Sequence, residues 1–188
     1  MNRHHRHSVR LQGYDYSQSG AYFVTICAYN RECLFGEIVG NDIRLNDYGV
    51  IAKDEWIKSS EIRKEIKLDE FVVMSNHIHG IVWINNPVGA NGRSPLHRTN
   101  MGSKTLSSFV AGYKSTVTKQ INGLRRFPGV PVWQRNYYEH VIRGDTELNR
   151  IRQYIMENPL KWDTDSENPN NIRDSLLPRL MLGKIRIN

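Results

Sequence analysis

Two histidines separated by one residue offer the clearest chemistry in this sequence. His77 and His79 stand at the start of a hydrophobic run that continues to Ile84. In a β-strand, residues two apart point to the same side, so both imidazoles leave one face of the sheet while Ile78 enters the other. Neutral imidazoles are common ligands of divalent metals. The pair predicts two metal ligands, although histidines on a sheet are also found as surface residues or hydrogen-bonded at the edge of a core.

A second segment supplies a nucleophile and a third ligand. Tyr154 and Asn158 are four residues apart in a predicted helix and therefore share one of its faces. An amide oxygen with two imidazoles can hold Mg²⁺ or Mn²⁺ and leave positions open for a phosphate. A phenol becomes a useful nucleophile beside such a cation. Each residue also has a structural explanation, since a tyrosine can pack its ring and an asparagine can close a helix end.

The remaining pattern predicts the elements that position these residues. Alternating apolar residues predict strands at 21–28, 66–74, 77–84 and 133–142, with a small hairpin between 34 and 45. Helices are predicted from a cap at Asn46 or Asp47 to about residue 64, over 105–121, and from a cap at Asp145 to Pro159. This order is the split βαβ arrangement of an α+β, ferredoxin-like or RRM-like fold. We expect a mainly antiparallel sheet with helices on one face, and a C-terminal helix that carries Tyr154.

The length of 188 residues indicates one domain with an additional terminal element. We expect a domain over 1–162, with a basic N-terminal arm over about 1–13 and a Gly- and Pro-containing loop over 85–103, followed by a C-terminal tail over 163–188. No apolar run is long enough for a membrane span, and two cysteines are too few for a disulfide framework. The expected location is the cytoplasm.

An excess of basic residues points to a polyanionic partner. Lysine and arginine number 26 against 19 acidic residues, for a formal charge of +7. Nucleic acid is the first candidate, because phosphates attract such a charge and unpaired bases stack on aromatic rings. The candidate DNA contacts are Arg3, Arg6, Arg10, Lys114 and Arg143. A basic residue is also commonly a solvated surface charge.

These motifs together resemble the single-tyrosine HUH transposases, and most closely the REP-associated tyrosine transposases. Residues 77–79 match the His-hydrophobic-His motif, and Tyr154 with Asn158 matches the tyrosine and asparagine of the REP-associated branch. Segments 22–26 and 133–143 agree as well, so the likeness covers roughly 14–162. Ser75 departs from the family, where a proline commonly precedes the Asn-His pair.

The resemblance implies a reaction and its residues. Tyr154 would attack a phosphodiester of single-stranded DNA, leaving a 5′-phosphotyrosine and a free 3′-hydroxyl, and a second 3′-hydroxyl would reverse the attack to join strands. His77, His79 and Asn158 would hold Mg²⁺ or Mn²⁺, and no nucleotide cofactor would be needed. The substrate would be a REP-like palindromic strand folded as a hairpin. The REP-associated branch is expected to act as a monomer.

Three alternatives remain at this point. The chain could be a non-catalytic single-stranded nucleic-acid-binding module that uses an open sheet and basic charge. It could also be a metal-dependent nuclease that activates water, with Tyr154 structural. Tyr137 and Tyr138 are rival nucleophiles, although the family match favours Tyr154.

Overall fold

The computed structural model describes residues 18–85, 104–165 and 167–169. In chain order its elements are β1 (Gly20–Cys27), a 3-10 turn (Tyr29–Arg31), β2 (Gly36–Val39), β3 (Asp42–Leu45), α1 (Asp47–Ile62), β4 (Ile66–Val73), β5 (His77–Ile84), α2 (Leu106–Leu124), β6 (Tyr138–Ile142), α3 (Asp145–Glu157) and a 3-10 helix (Pro159–Thr164). Four strands form an antiparallel sheet in the order β4-β5-β1-β6, and β2 pairs with β3 in a hairpin. The predicted α+β class and antiparallel sheet are confirmed.

The sheet has a different set of helices on each face. Alternate residues of β1, beginning with Tyr22, face a buried core that includes Trp56 of α1 and Phe109 of α2. The other residues of β1, such as Phe23, face a smaller cluster that includes Ile155 of α3. The first two helices therefore cover one face, while α3 lies on the opposite face.

Close packing of α1 against β5 depends on a glycine. A Cβ atom added to Gly80 would collide with Cζ2 of Trp56, whose side chain is fully buried. The tryptophan ring therefore rests directly on the backbone of β5, one residue after His79. This contact fixes the strand that carries both histidines from the face opposite to them.

An ion pair holds α3 on the sheet. The ladder between β4 and β5 shifts register between Leu68 and Phe71. Within this irregular segment, Asp69 accepts hydrogen bonds from Nε and Nη2 of Arg152 in α3, at 2.8 and 2.6 Å, and from Nε1 of Trp83 at 2.9 Å. Hydrogen bonding from Arg152 holds the pKa of the Asp69 carboxyl well below its usual value. Asp69, in this irregular segment of β4, thus anchors α3, the helix that carries Tyr154.

The predicted cap of α1 is confirmed, the predicted cap of α3 is wrong, and α2 extends to Leu124, three residues beyond the predicted end. Asn46 caps α1 by accepting from the backbone N–H groups of Tyr48 and Gly49, both at 3.0 Å. Asp145 does not cap α3, because Gly144 occupies the N-cap position with a φ of 90°. Asp145 is instead the first residue of the helix, where a carboxylate interacts favourably with the helix dipole.

The predicted strand over 133–142 is too long. Only Tyr138–Ile142 belongs to the sheet, and Trp133 forms an isolated bridge with Ala28. Between them, the carbonyl oxygens of Gln134 and Asn136 accept hydrogen bonds from Nζ of Lys114, at 2.9 and 3.0 Å. These carbonyls bond to a side chain of α2, and the segment does not continue the ladder.

Several predictions fall outside the described residues. These are the N-terminal arm with Arg3, Arg6 and Arg10, the loop after Asn85 up to residue 103, and the tail after residue 169. Within the described ranges, no helix combines the length and the apolar character that a membrane crossing requires.

Candidate functional site

The two histidines lie side by side on the face of the sheet that α3 occupies. His77 is fully buried and His79 is 3% exposed. Their ring centroids are 4.3 Å apart. The ring of Trp162, from the 3-10 helix after α3, stacks on His77 with a centroid distance of 6.1 Å. The predicted sharing of one sheet face is what allows the two imidazoles to approach each other.

The protonation of His77 follows from its partner. Nδ1 of His77 lies 2.8 Å from Oδ1 of Asn76, which can only accept a hydrogen bond, so Nδ1 carries the proton. The amide of Asn76 is held in this orientation because its nitrogen donates to the carbonyl oxygens of Arg31 and Glu167, at 3.1 and 2.8 Å. Nε2 of His77 therefore carries no proton and has a free lone pair. It is buried and has no hydrogen-bond partner among the described residues.

His79 connects the sheet to the predicted nucleophile. Its Nε2 lies 3.2 Å from the hydroxyl oxygen of Tyr154, and its Nδ1 lies 2.9 Å from Oγ1 of Thr25 on β1. The Tyr154 ring packs edge-on against Phe23 at a centroid distance of 6.0 Å. Tyr154 is 40% exposed, so a molecule bound at the surface could reach its side chain.

Asn158 faces the same place from the end of α3. Its side chain is buried, and its Nδ2 donates to Oδ2 of Asp165 at 2.7 Å. Its Oδ1 is buried without a hydrogen-bond partner in the described part of the chain. A buried polar oxygen without a partner is costly unless another group binds it. The orphaned oxygen of Asn158 and the orphaned nitrogen of His77 are both atoms that a metal ion would take as ligands.

A carboxylate that sequence patterns do not identify completes the cluster. Ligand atoms of His77, His79 and Asp165 all lie within 4.8 Å of one another, and all three residues are buried. Asp165 directly follows the 3-10 helix, in a segment without amphipathic periodicity, so no pattern points to it. Two imidazoles, an amide oxygen and a carboxylate form a donor set that suits a divalent cation of the Mg²⁺ or Mn²⁺ type.

Burial keeps the histidines neutral. It lowers the pKa of His77 to about 4, although the nearby Asp165 carboxylate acts in the opposite direction. Burial also lowers the pKa of His79 well below its ordinary value, and the neighbouring His77 adds to this effect. Neutral imidazoles are the form that binds metal ions, so both side chains are ready to bind at pH 7.

The phenol of Tyr154 is protonated at neutral pH. Burial, followed by the charges of Asp165 and Glu167, raises its pKa to about 12. A neutral phenol is a weak nucleophile, and the site must supply the activation that the side chain lacks.

A groove of about 490 Å³ opens beside Tyr154. Its walls combine the rings of Phe23, Tyr137 and Tyr138 with the polar side chains of Gln134 and Asn136. Rings can stack on unpaired bases and amides can hydrogen-bond to base edges. The lining therefore offers stacking surfaces and hydrogen-bonding groups beside Tyr154.

The other predicted residues lie at different places around the site. Nζ of Lys114 donates to the carbonyl oxygens of Gln134 and Asn136, two residues that line the groove, and burial lowers its pKa to about 8. Arg143 is exposed just before α3. The hydroxyl of Tyr137 lies 3.3 Å from Oγ of Ser107, and the Tyr138 ring is edge-on to Phe23 at 6.2 Å.

Comparisons with known proteins agree with this architecture. No protein-family model matches the chain. An uncharacterized protein of Haemophilus influenzae is 40% identical over 168 residues, which cover 86% of this chain and 92% of the relative. Among solved structures, a REP-associated tyrosine transposase bound to a REP hairpin superposes with a TM-score of 0.53 and 20% identity, over 81% of this chain and 73% of that one.

The two comparisons support different statements. Identity of 40% over nearly the full length of the relative establishes common descent with the Haemophilus protein. The structural match, at 20% identity, establishes the fold. The chain therefore belongs to one family with the Haemophilus influenzae protein, and it has the fold of the REP-associated tyrosine transposases that its motifs resemble.

Proposed function

We propose that this protein is a metal-dependent endonuclease and strand transferase for single-stranded DNA, which acts at hairpin-forming, REP-like palindromes through a 5′-phosphotyrosine. The observation that carries the proposal is the 3.2 Å distance between the Tyr154 hydroxyl and Nε2 of His79. It joins the predicted nucleophile to a buried histidine pair beside a groove of about 490 Å³. The solved relative of the same fold is bound to a REP hairpin, which favours the same class of substrate here.

The metal site would be formed by His77, His79 and Asn158. When bound, Mg²⁺ or Mn²⁺ would polarise the scissile phosphate and stabilise the charge that develops on it. Asn76 keeps Nε2 of His77 available, because its Oδ1 accepts a hydrogen bond from Nδ1–H and so holds the ring proton on Nδ1. Oγ1 of Thr25 can accept a hydrogen bond from Nδ1–H of His79 in the same way. We expect no nucleotide cofactor, because the energy of the broken bond is kept in the phosphotyrosine.

The groove and α3 would position the reacting atoms. The Tyr154 oxygen would attack phosphorus and lose its proton, and the 3′-oxygen would leave and take up a proton. The products would be a 5′-phosphotyrosine and a free 3′-hydroxyl. Attack by a second 3′-hydroxyl on the phosphotyrosine would release the phenol and join the strands. Phe23 supports the Tyr154 ring, so the hydroxyl stays at the edge of the groove.

A denaturing gel tests the proposal directly. The protein would be incubated with hairpin-bearing single-stranded DNA, labelled at the 5′ or the 3′ end, in Mg²⁺ or Mn²⁺ and in a chelator. We expect a slow band that contains protein and only the 3′ portion of the DNA. It should disappear with the chelator and in the Tyr154→Phe variant, which loses one oxygen atom and keeps the ring. Tyr138→Phe, in the same groove, should keep the band and so serves as the matched variant.

Other results would identify the alternatives. Cleavage without a protein-linked band would indicate a nuclease that uses water. Retarded migration on a native gel without any cleavage would indicate a binding module. A covalent band that persists in Tyr154→Phe and disappears in Tyr138→Phe would show that the nucleophile is Tyr138 of β6. We also expect a monomer, which light scattering of the free protein would measure.

A further inference from the structure

Two side-chain amides at the site have their orientation fixed by the short segment after the 3-10 helix. The backbone carbonyl of Glu167 accepts from Nδ2 of Asn76 at 2.8 Å. The carboxylate of Asp165 accepts from Nδ2 of Asn158 at 2.7 Å. In both contacts the amide nitrogen is the donor, so each amide group is held in one orientation. The amide oxygens of Asn76 and Asn158 are then left for the site itself.

This segment is held at the sheet by its own contacts. The second oxygen of Asp165 accepts from the backbone N–H of Glu167 at 2.6 Å. The Glu167 carboxylate pairs with Nη2 of Arg31 at 3.2 Å and accepts from the Cys27 thiol at 3.2 Å. Asp165 is 7% exposed, so water competes little for its oxygens. The carboxylate is therefore a fixed feature of the site.

A carboxylate next to Asn158 fixes the orientation of its side-chain amide, whereas another amide in the same place would not. An ionised carboxylate only accepts hydrogen bonds, so the side of Asn158 that faces it must be the nitrogen. An amide at position 165 could present either its nitrogen or its oxygen, and Asn158 could then adopt either orientation. Since Oδ1 of Asn158 is buried without a partner in the described residues, the enforced orientation leaves an oxygen available for the cation.

We propose that Asp165 is a positioning residue of the metal site, which orients Asn158 so that its amide oxygen is presented to the divalent cation. The proposal rests on the proposed function, in that Asn158 is taken as a metal ligand. Asp165 would act through Asn158 and need not bind the ion itself. Loss of such an outer hydrogen-bond partner typically weakens metal binding by about 10- to 100-fold.

Metal affinity in the absence of DNA provides the test. Mn²⁺ would be titrated into the full chain and the free ion followed by electron paramagnetic resonance. Asp165→Asn has almost the same shape as the natural side chain, and we expect it to weaken Mn²⁺ binding about 10-fold. Asp163→Asn removes the same charge from an exposed position two residues away, and we expect it to bind Mn²⁺ as the natural protein does. Metal-free thermal unfolding would check that each variant is folded.

A double-mutant cycle separates positioning from direct ligation. If Asp165 acts through Asn158, the Asn158→Ala variant and the double variant with Asp165→Asn should bind Mn²⁺ equally weakly. Fold-losses that multiply in the double variant would make Asp165 an independent ligand and overturn the proposal. Unchanged Mn²⁺ affinity in Asp165→Asn would overturn it too. Should the Asn variant not fold, Asp165→Ser, whose hydroxyl can also donate, carries the same expectations.

The result also distinguishes this inference from the proposed function. If Mn²⁺ binds more weakly to Asn158→Ala but with natural affinity to Asp165→Asn, Asn158 is still a metal ligand. Only the positioning role of Asp165 would then be wrong. Natural Mn²⁺ affinity in Asn158→Ala would show that Asn158 is not a metal ligand. It would overturn both the positioning role of Asp165 and the proposed metal site of His77, His79 and Asn158. Formation of the phosphotyrosine is measured separately on the gel.

Discussion

The hydroxyl oxygen of Tyr154 lies 3.2 Å from Nε2 of His79, although the two residues are 75 positions apart in the chain. Tyr154 comes from α3 and His79 from a central strand of the sheet. Nδ1 of the same imidazole lies 2.9 Å from Oγ1 of Thr25 on the neighbouring strand. His79 therefore connects the sheet, the proposed metal site and the proposed nucleophile.

The contact between Thr25 and His79 should set the protonation of this imidazole. For Nε2 to bind a metal, the proton must lie on Nδ1 and be donated to the Thr25 oxygen. Thr25→Val removes that acceptor at nearly constant shape and should weaken Mn²⁺ binding roughly 10-fold. Thr25→Ser keeps the hydroxyl and should retain the natural affinity. Equal Mn²⁺ affinity in the Val variant and the natural protein, by titration, would contradict this role.

Acid should destabilise the metal-free protein through its buried histidines. A histidine in the unfolded chain has a pKa of about 6.5. In the fold, burial lowers the pKa of His77 to about 4 and that of His79 well below its ordinary value. Between about pH 6.5 and 4 the unfolded chain binds more protons, so the free energy of unfolding falls as the pH is lowered.

The size of this effect can be measured with one variant. Each histidine contributes up to about 1.4 kcal/mol per pH unit within the window. His77→Gln removes one titrating group, so its urea unfolding free energy should change less steeply between pH 6.5 and 4 than that of the natural protein. Parallel curves for the two proteins would show that His77 titrates normally in the fold.

Local patterns predict the parts of the site that depend on a single element. His77 and His79 share a face because strands have a period of two, and Tyr154 and Asn158 share a face because helices repeat every 3.6 residues. Neither fact requires knowledge of the tertiary structure. The same patterns give the order of strands and helices, and hence the confirmed α+β class.

The remaining features depend on contacts between segments that are distant in sequence. Asp165 meets Asn158 only because the chain turns back in a 3-10 helix, which has no periodic apolar stripe to reveal it. The strand predicted from residue 133 begins at Tyr138 because Lys114, from another element, binds two carbonyls of the segment. Propensity at Asp145 favours a cap, but Gly144 takes that position with a positive φ.

Removal of the ion pair between Asp69 and Arg152 should loosen the helix that carries Tyr154. The Arg152 side chain is 35% exposed, so solvent screens the pair and its contribution to stability is small. Arg152→Gln should lower the urea unfolding free energy slightly and slow formation of the DNA adduct under single-turnover conditions. Arg150→Gln is the matched variant, because Arg150 is 78% exposed and 3.7 Å from Glu147. A natural adduct rate in Arg152→Gln would show that α3 is positioned by its apolar contacts alone.

Two candidate DNA contacts, Lys114 and Arg143, should respond differently to salt. Nζ of Lys114 already donates to the carbonyls of Gln134 and Asn136, whereas the Arg143 side chain is exposed beside α3. A phosphate contact contributes about one unit to the slope of log affinity against log salt concentration, because binding releases a counterion. Arg143→Gln should therefore reduce the slope by about one, while Lys114→Gln should leave the slope unchanged and lower the unfolding free energy by about 1 to 3 kcal/mol. Fluorescence anisotropy with a labelled hairpin strand across a salt series measures the slopes, and a reduced slope in Lys114→Gln would instead make Lys114 a phosphate contact.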